Sequence, residues 1–82
     1  MNTNDLEIFE TLAHTRSFTE TAQQMNTVQS NVTARIRSLE TTFKVRLFNR
    51  NSREVTLTPS GEKLLPYAKN IGQLLVDAAA DL

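Results

Sequence analysis

An 82-residue chain is enough for one small domain around one core. With no cysteine and a single histidine, His14, it offers neither a disulfide framework nor a cysteine or multi-histidine metal site. No apolar run approaches the ~20 residues that span a bilayer, and Met1-Asn2-Thr3-Asn4-Asp5 lacks the basic-then-apolar order of a signal peptide. A soluble protein of the cytoplasm with no membrane partner is therefore expected. The formal net charge is zero but unevenly spread. Residues 1–15 carry three acids and no Lys or Arg. Residues 16–53 carry seven bases (Arg16, Arg35, Arg37, Lys44, Arg46, Arg50, Arg53) against Glu20 and Glu40, and residues 54–82 carry four acids against Lys63 and Lys69. A middle at +5 between ends at −3 and −2 attracts a polyanion locally even on a neutral protein. Charge alone leaves an Arg-rich solvated surface equally open.

The first helix is predicted to begin near Asn4, with Glu7 three residues later as its reciprocal capping partner. Leu6, Phe9 and Ala13 recur at helical spacing, with Leu12 at the edge. His14 falls at the helix end, where the dipole favours a cation; a capping or surface role suits it better than chemistry. Ser17-Phe18-Thr19-Glu20 repeats the capping signal and opens a second helix of about eight residues, with Phe18, Ala22 and Met25 facing inward. Asn26-Thr27 breaks it, Asn being tolerant of a left-handed backbone.

The third helix is expected over about residues 28–43. At ~100° per residue, Val32, Ile36, Leu39 and Phe43 share one narrow face, headed by Val28. The opposite face carries Gln29, Ser30, Thr33, Ala34 and Arg37. One apolar side and one side of short polar residues plus Arg suit a helix anchored to a core and laid in a DNA groove. Arg35, beside the apolar row, fits a structural ion pair or a DNA contact equally well, and Asn31 sits nearer the flank. Two helices joined by a short turn make a helix-turn-helix over about residues 18–38.

Val45, Leu47 and Phe48, then Val55 and Leu57, are short β-compatible runs around Asn49-Arg50-Asn51-Ser52-Arg53. They predict a two-stranded wing over about residues 45–58 with Arg50 and Arg53 near its tip; an irregular loop is the competing reading. Thr58-Pro59 opens a last helix, Thr as cap and Pro at the first helical position. Leu64, Ala68, Ile71, Leu75, Ala78 and Leu82 alternate by four and three residues, a short coiled-coil seam. A helix of ~23 residues is ~35 Å long, too long for so small a core to cover. Its first half is expected on its own domain and its second half against a partner. Pro66 inside it predicts a bend.

Taken in order, these residues resemble the N-terminal DNA-binding domain of LysR-type transcriptional regulators. The likeness runs through Leu6 and Phe9, Ser17-Phe18-Thr19 with Ala22, Gln29-Ser30, Ile36 with Leu39-Glu40, Leu47-Phe48-Asn49-Arg50, Arg53, Leu57-Thr58, Gly61 and Ala68. It covers essentially the whole chain. It implies a mainly α fold: a winged helix-turn-helix over residues 1–58, with a three-helix core and a two-stranded wing, then a long linker and dimerisation helix over residues 59–82. It also implies a C-terminal effector-binding domain that this chain lacks, so the chain is expected to be a fragment. By the same resemblance Gln29, Ser30 and Thr33 face the major groove, and Arg50 and Arg53 contact backbone or minor groove. Leu64, Ala68, Ile71, Leu75, Ala78 and Leu82 would join two subunits on an inverted-repeat operator in double-stranded DNA, as a homodimer or, at full length, a tetramer. A small-molecule effector would reach the protein only through the absent domain.

Four positions depart from the family pattern. Val28 stands where a capping Ser is common, so Thr27 is expected to cap one residue earlier. Thr33 replaces a common Ser, and Ala34 a long polar side chain. Lys44 replaces a common Gly; a left-handed Lys would be strained, so an altered turn is expected there. Gln29 suits bidentate pairing with adenine, and the methyls of Thr33 and Ala34 suit thymine. Arg37 suits a phosphate. No nucleophile–base–acid set surrounds His14 and no glycine-rich phosphate loop is present, so no catalytic residue, metal or cofactor is expected. The rival from another class is a coiled-coil protein-interaction module, which leaves the segregated charge unexplained.

Overall fold

The computed structural model describes residues 1–50 and 54–82. Its elements in chain order are α1 (Thr3–Thr15), α2 (Phe18–Gln24), α3 (Gln29–Phe43), β1 (Phe48–Asn49), β2 (Thr56–Leu57) and α4 (Pro59–Asp81). This is the mainly α winged helix-turn-helix with a long following helix. Arg53, expected near the wing tip, lies outside the described residues.

α1 begins at Thr3, and its cap lies two residues before the predicted one. Asn2, not Asn4, closes the capping box: its side chain accepts from the Asp5 amide at 3.0 Å, and Asp5 Oδ2 accepts from the Asn2 amide at 3.3 Å. Tertiary packing makes the choice. The Asp5 side chain is buried and its Oδ1 lies 3.7 Å from the Arg35 guanidinium on α3, whereas Asn4 and Glu7 are exposed. A buried carboxylate needs such partners, so the box forms where the cation is. α1 packs against α2, α3 and α4. Its apolar arc is accordingly wider than one row: Leu6, Ile8, Phe9 and Leu12 are all buried, and Ile8 joins the predicted set.

Ser17 caps α2 by accepting from the Glu20 amide at 3.1 Å. The hydroxyls of Thr15 and the buried Thr21 meet at 2.7 Å, tying the end of α1 to α2. Asn26 takes a left-handed φ of 56° in the turn, as an Asn can. α3 starts after an extended Val28, and no side chain caps it among the described residues. Thr27 does not supply the cap; its hydroxyl accepts from Asn31 Nδ2 at 3.1 Å. Val32, Ile36 and Leu39 are fully buried. The ends of the predicted row are not: Val28 is 62% exposed and Phe43 42%. Val28 precedes the first helical turn, so it leaves the row, and Phe43 lies past the edge of the core.

The wing strands pair antiparallel, Phe48 with Leu57 and Asn49 with Thr56. They are shorter than the β-compatible runs: Val45 and Leu47 lie before β1 and Val55 before β2, while Phe48 turns into the core, where its ring sits 5.4 Å from that of Phe9. Thr58 joins wing to helix. Its amide donates to the Leu47 carbonyl at 3.0 Å, its hydroxyl donates to the Arg46 carbonyl at 2.6 Å, and that hydroxyl accepts from the Gly61 amide at 3.1 Å, capping α4. Gly61 is buried here, and a Cβ would collide with the Leu47 carbonyl oxygen and the Leu57 side chain. Only glycine allows that approach. α4 then runs as one helix through Pro66. Among the described residues no helix is long and apolar enough to cross a membrane.

The turn after α3 keeps its left-handed form despite its side chain. Lys44 has φ 58° and ψ 38°, with its amide donating to the Glu40 carbonyl. Any Cβ in this region costs about 1 kcal/mol. Lys44→Gly should therefore raise unfolding free energy by roughly 0.5–1 kcal/mol, offset in part by the looser unfolded chain. Urea denaturation checks it; a lower midpoint would contradict the strain.

Candidate nucleic-acid interface

α3 buries Val32, Ile36 and Leu39 and turns its other side outward. Gln29, Ser30, Ala34, Arg37 and Thr41 are exposed, and Thr33 is half-buried beside them. With 3.6 residues per turn, positions 30, 34, 37 and 41 form one stripe over three turns. The stripe offers hydroxyls, a methyl and a guanidinium, with the Gln29 amide beside it, and its long anionic neighbour Glu40 is turned aside. Gln29 is anchored: its Nε2 donates to the Thr19 hydroxyl on α2 at 2.9 Å. Asn31 is engaged with Thr27 on the flank. Arg35 is the ion-pair partner of Asp5, with its guanidinium Nε buried, which places it in the structural reading of that residue.

Where the stripe ends, the Glu40 side chain, 9% exposed, gathers the wing. Glu40 Oε2 accepts from the Leu47 amide at 2.8 Å, and Oε1 accepts from Arg50 Nη2 at 2.9 Å. Arg46 stands 3.7 Å from the same carboxylate but is 68% exposed, so its charge remains free to act on solvent. Arg50 is not at an outward tip. Its side chain is 23% exposed, paired with Glu40, and its guanidinium carbon lies 5.9 Å from the Phe18 ring centroid on α2. Arg50 thus joins α2, α3 and β1. The outward charges at this corner are those of Arg37, Lys44 and Arg46, which with Thr41 line an open cleft between α3 and the approach to β1.

The far surface is the second half of α4. Ala68, placed in the predicted seam, is 2% exposed and belongs to the chain's own core, with Leu64 and Leu65 packed beside it. Small and inward at this register, it is closed to a partner. Ile71, Leu75, Ala78 and Leu82 are exposed. Tyr67 at 68% and Leu74 at 66% widen the stripe beyond the seam. Sequence reasoning passed over both because they fall one position before a seam residue. Thr19 was missed as well; no local pattern ties it to Gln29, ten residues away. Among the described residues no cluster of three or more His, Cys, Asp or Glu side chains could hold a metal.

Removing the Glu40 charge leaves a half-buried guanidinium without its anion. Glu40→Gln should cost roughly 2–4 kcal/mol, below the full penalty for a buried pair because Arg50 keeps some solvent. Denaturation measures the loss, and faster hydrogen exchange at the Leu47 amide locates it in the wing. A wing amide as protected as in the parent would show that Glu40 is not its anchor.

A family model described as "Bacterial regulatory helix-turn-helix protein, lysR family" matches residues 3–62. The HTH-type transcriptional regulator YofA of Bacillus subtilis (strain 168) is 47% identical over 78 residues, 95% of this chain and 27% of YofA. Vibrio fischeri DarR, solved in complex with DNA, is similar at a TM-score of 0.93 and 30% identity over 99% of this chain and 28% of DarR. The BenM DBD, solved in complex with catB site 1 DNA, is similar at a TM-score of 0.93 and 26% identity over 98% of this chain and 86% of that one. The chain spans about a quarter of the length of the curated relatives it matches. Matched over most of its length, the chain belongs to the lysR family of bacterial regulatory helix-turn-helix proteins, and its winged helix is that of a DNA-binding transcription regulator.

Proposed function

We propose that this chain is the operator-reading part of a longer regulator that binds an inverted repeat in double-stranded DNA as a homodimer. The exposed polar stripe of α3, opposite its buried Val32, Ile36 and Leu39, carries this reading. Gln29, Ser30, Thr33 and Ala34 meet base edges in the major groove, where a helix fits and each base pair presents a distinct pattern. Arg37 takes a phosphate, and Lys44 and Arg46 add charge beside it. Arg53 keeps the wing contact that the family resemblance implies. Arg50 acts by holding the wing against α3 rather than by reaching outward.

Ile71, Leu75, Ala78 and Leu82, with Tyr67 and Leu74, face the same residues of a second copy. Two reading helices then sit at the spacing that the two-fold axis sets. The relatives are about three and a half times as long as this chain, which leaves room for the effector domain that senses a small molecule and for tetramer contacts. The part in hand carries out no catalysis and needs no cofactor, and it works in the cytoplasm, where bacterial DNA lies. A pure interaction module gives no use to the polar stripe on α3.

Selection of bound sequences from a random duplex pool at two salt concentrations tests the proposal. An enriched inverted repeat with steep salt dependence supports it; no enriched motif defeats it. Arg37→Ala should weaken binding to all duplexes alike and lower the salt slope by about one unit. A loss confined to one base position would instead make Arg37 a base reader. Leu75→Asp should give monomers in sedimentation, with binding at least about tenfold weaker, since an unpaired carboxylate cannot be buried cheaply. A dimeric Leu75→Asp protein would remove this face from the interface.

A further inference from the structure

We infer that Thr19 is a positioning residue that makes Gln29 a reader of adenine in preference to guanine. The inference rests on α3 being the reading helix with Gln29 in the groove. Thr19 is the second residue of α2 and Gln29 the first of α3; both are exposed, and Gln29 Nε2 donates to the Thr19 hydroxyl at 2.9 Å. Thr19 is itself held. Ser17 caps the same turn through Glu20, and the Thr15–Thr21 hydroxyl pair fixes the next one. A glutamine left alone at a helix start samples many rotamers. This one is tied to a rigid neighbour before any DNA arrives.

The bond also sets which groups remain. A carboxamide has two N–H donors and one oxygen with two lone pairs. One donor is spent on Thr19, leaving one N–H and the free oxygen. Adenine shows a donor at N6 and an acceptor at N7 in the major groove, which matches that pair. Guanine shows two acceptors, O6 and N7. An untethered amide could turn both N–H groups toward them. The tethered amide has only one to give and would set its oxygen against O6. Thr19 thus acts on specificity without touching a base.

The test uses the full chain, its selected duplex, and the duplex with guanine replacing adenine at the position that Gln29 reads. Thr19→Val keeps the shape and removes the hydroxyl, Thr19→Ala is a second hydroxyl-free variant, and Thr19→Ser restores the group. Thr19→Val and Thr19→Ala should lower the adenine-over-guanine ratio about 2- to 10-fold, the range of one net hydrogen bond. Thr19→Ser should keep it, preferences at other positions should not move, and thermal melting should match the parent. Gln29→Ala should abolish the preference at this position, and adding Thr19→Val to it should change nothing further. If Gln29→Ala relaxes this position while Thr19→Val leaves the ratio intact, or weakens all duplexes equally, the positioning role is overturned and the reading of Gln29 stands. If Gln29→Ala alters no position, both fall.

Discussion

The Glu40 carboxylate is the joint on which the winged-helix part of the molecule depends. It sits at the last turns of α3 and meets the Leu47 amide at 2.8 Å and Arg50 at 2.9 Å. One acidic side chain therefore fixes the angle between α3 and the ribbon that follows it. Each of its oxygens accepts a hydrogen bond, and the pair is largely removed from solvent, so screening by salt touches it less than it touches the outward arginines. The arrangement separates two kinds of positive charge. Arg35 and Arg50 are committed to Asp5 and Glu40 inside the domain. Arg37, Lys44 and Arg46 stay on the surface. A neutral protein can thus present a basic face on α3, because Glu40, the acid of that helix, is turned inward to hold the wing.

The same economy appears at the other end of the wing. Thr58 accepts one amide and donates one hydroxyl while closing the strand pair and capping α4, and Gly61 lets the helix approach the Leu47 carbonyl. β1 and β2 are two residues each, too short to stand as an isolated hairpin. They hold because Phe48 packs on Phe9 and because Glu40 and Thr58 grip the chain on either side of Leu47. α4 is then committed over its first three turns by Leu64, Leu65 and Ala68 and released afterwards. The helix thus has a base held by the domain and an apolar end left uncovered among the described residues.

Much of this was legible in the chain. Helix positions follow from the spacing of Leu6 and Phe9, of Val32, Ile36 and Leu39, and of the apolar residues after Thr58, because burial of one face is a local, periodic signal. Ser17 and Thr58 were readable as caps for the same reason: a cap needs only the next three residues. The exposed stripe from Gln29 to Arg37 followed once the buried face was known. Lys44 shows where local reasoning misleads. A left-handed Lys is costly taken alone, yet the turn keeps that form because α3 must end there for Leu47 and Phe48 to reach the core.

The sequence by itself determined the number and order of the helices, the break between α2 and α3, and which side of α3 faces outward, since each depends on residues within one or two turns. Only the tertiary structure decided what the charged and capping groups do. Asn2 rather than Asn4 caps α1 because Arg35 draws Asp5 inward from thirty residues away. Arg50 is a clasp rather than an outward finger because Glu40 lies ten residues back on another element. Thr19 meets Gln29, and Ala68 enters the core, through packing that no periodicity encodes. Polar groups take the partners that folding brings within about 3 Å, and that distance is a property of the assembled chain.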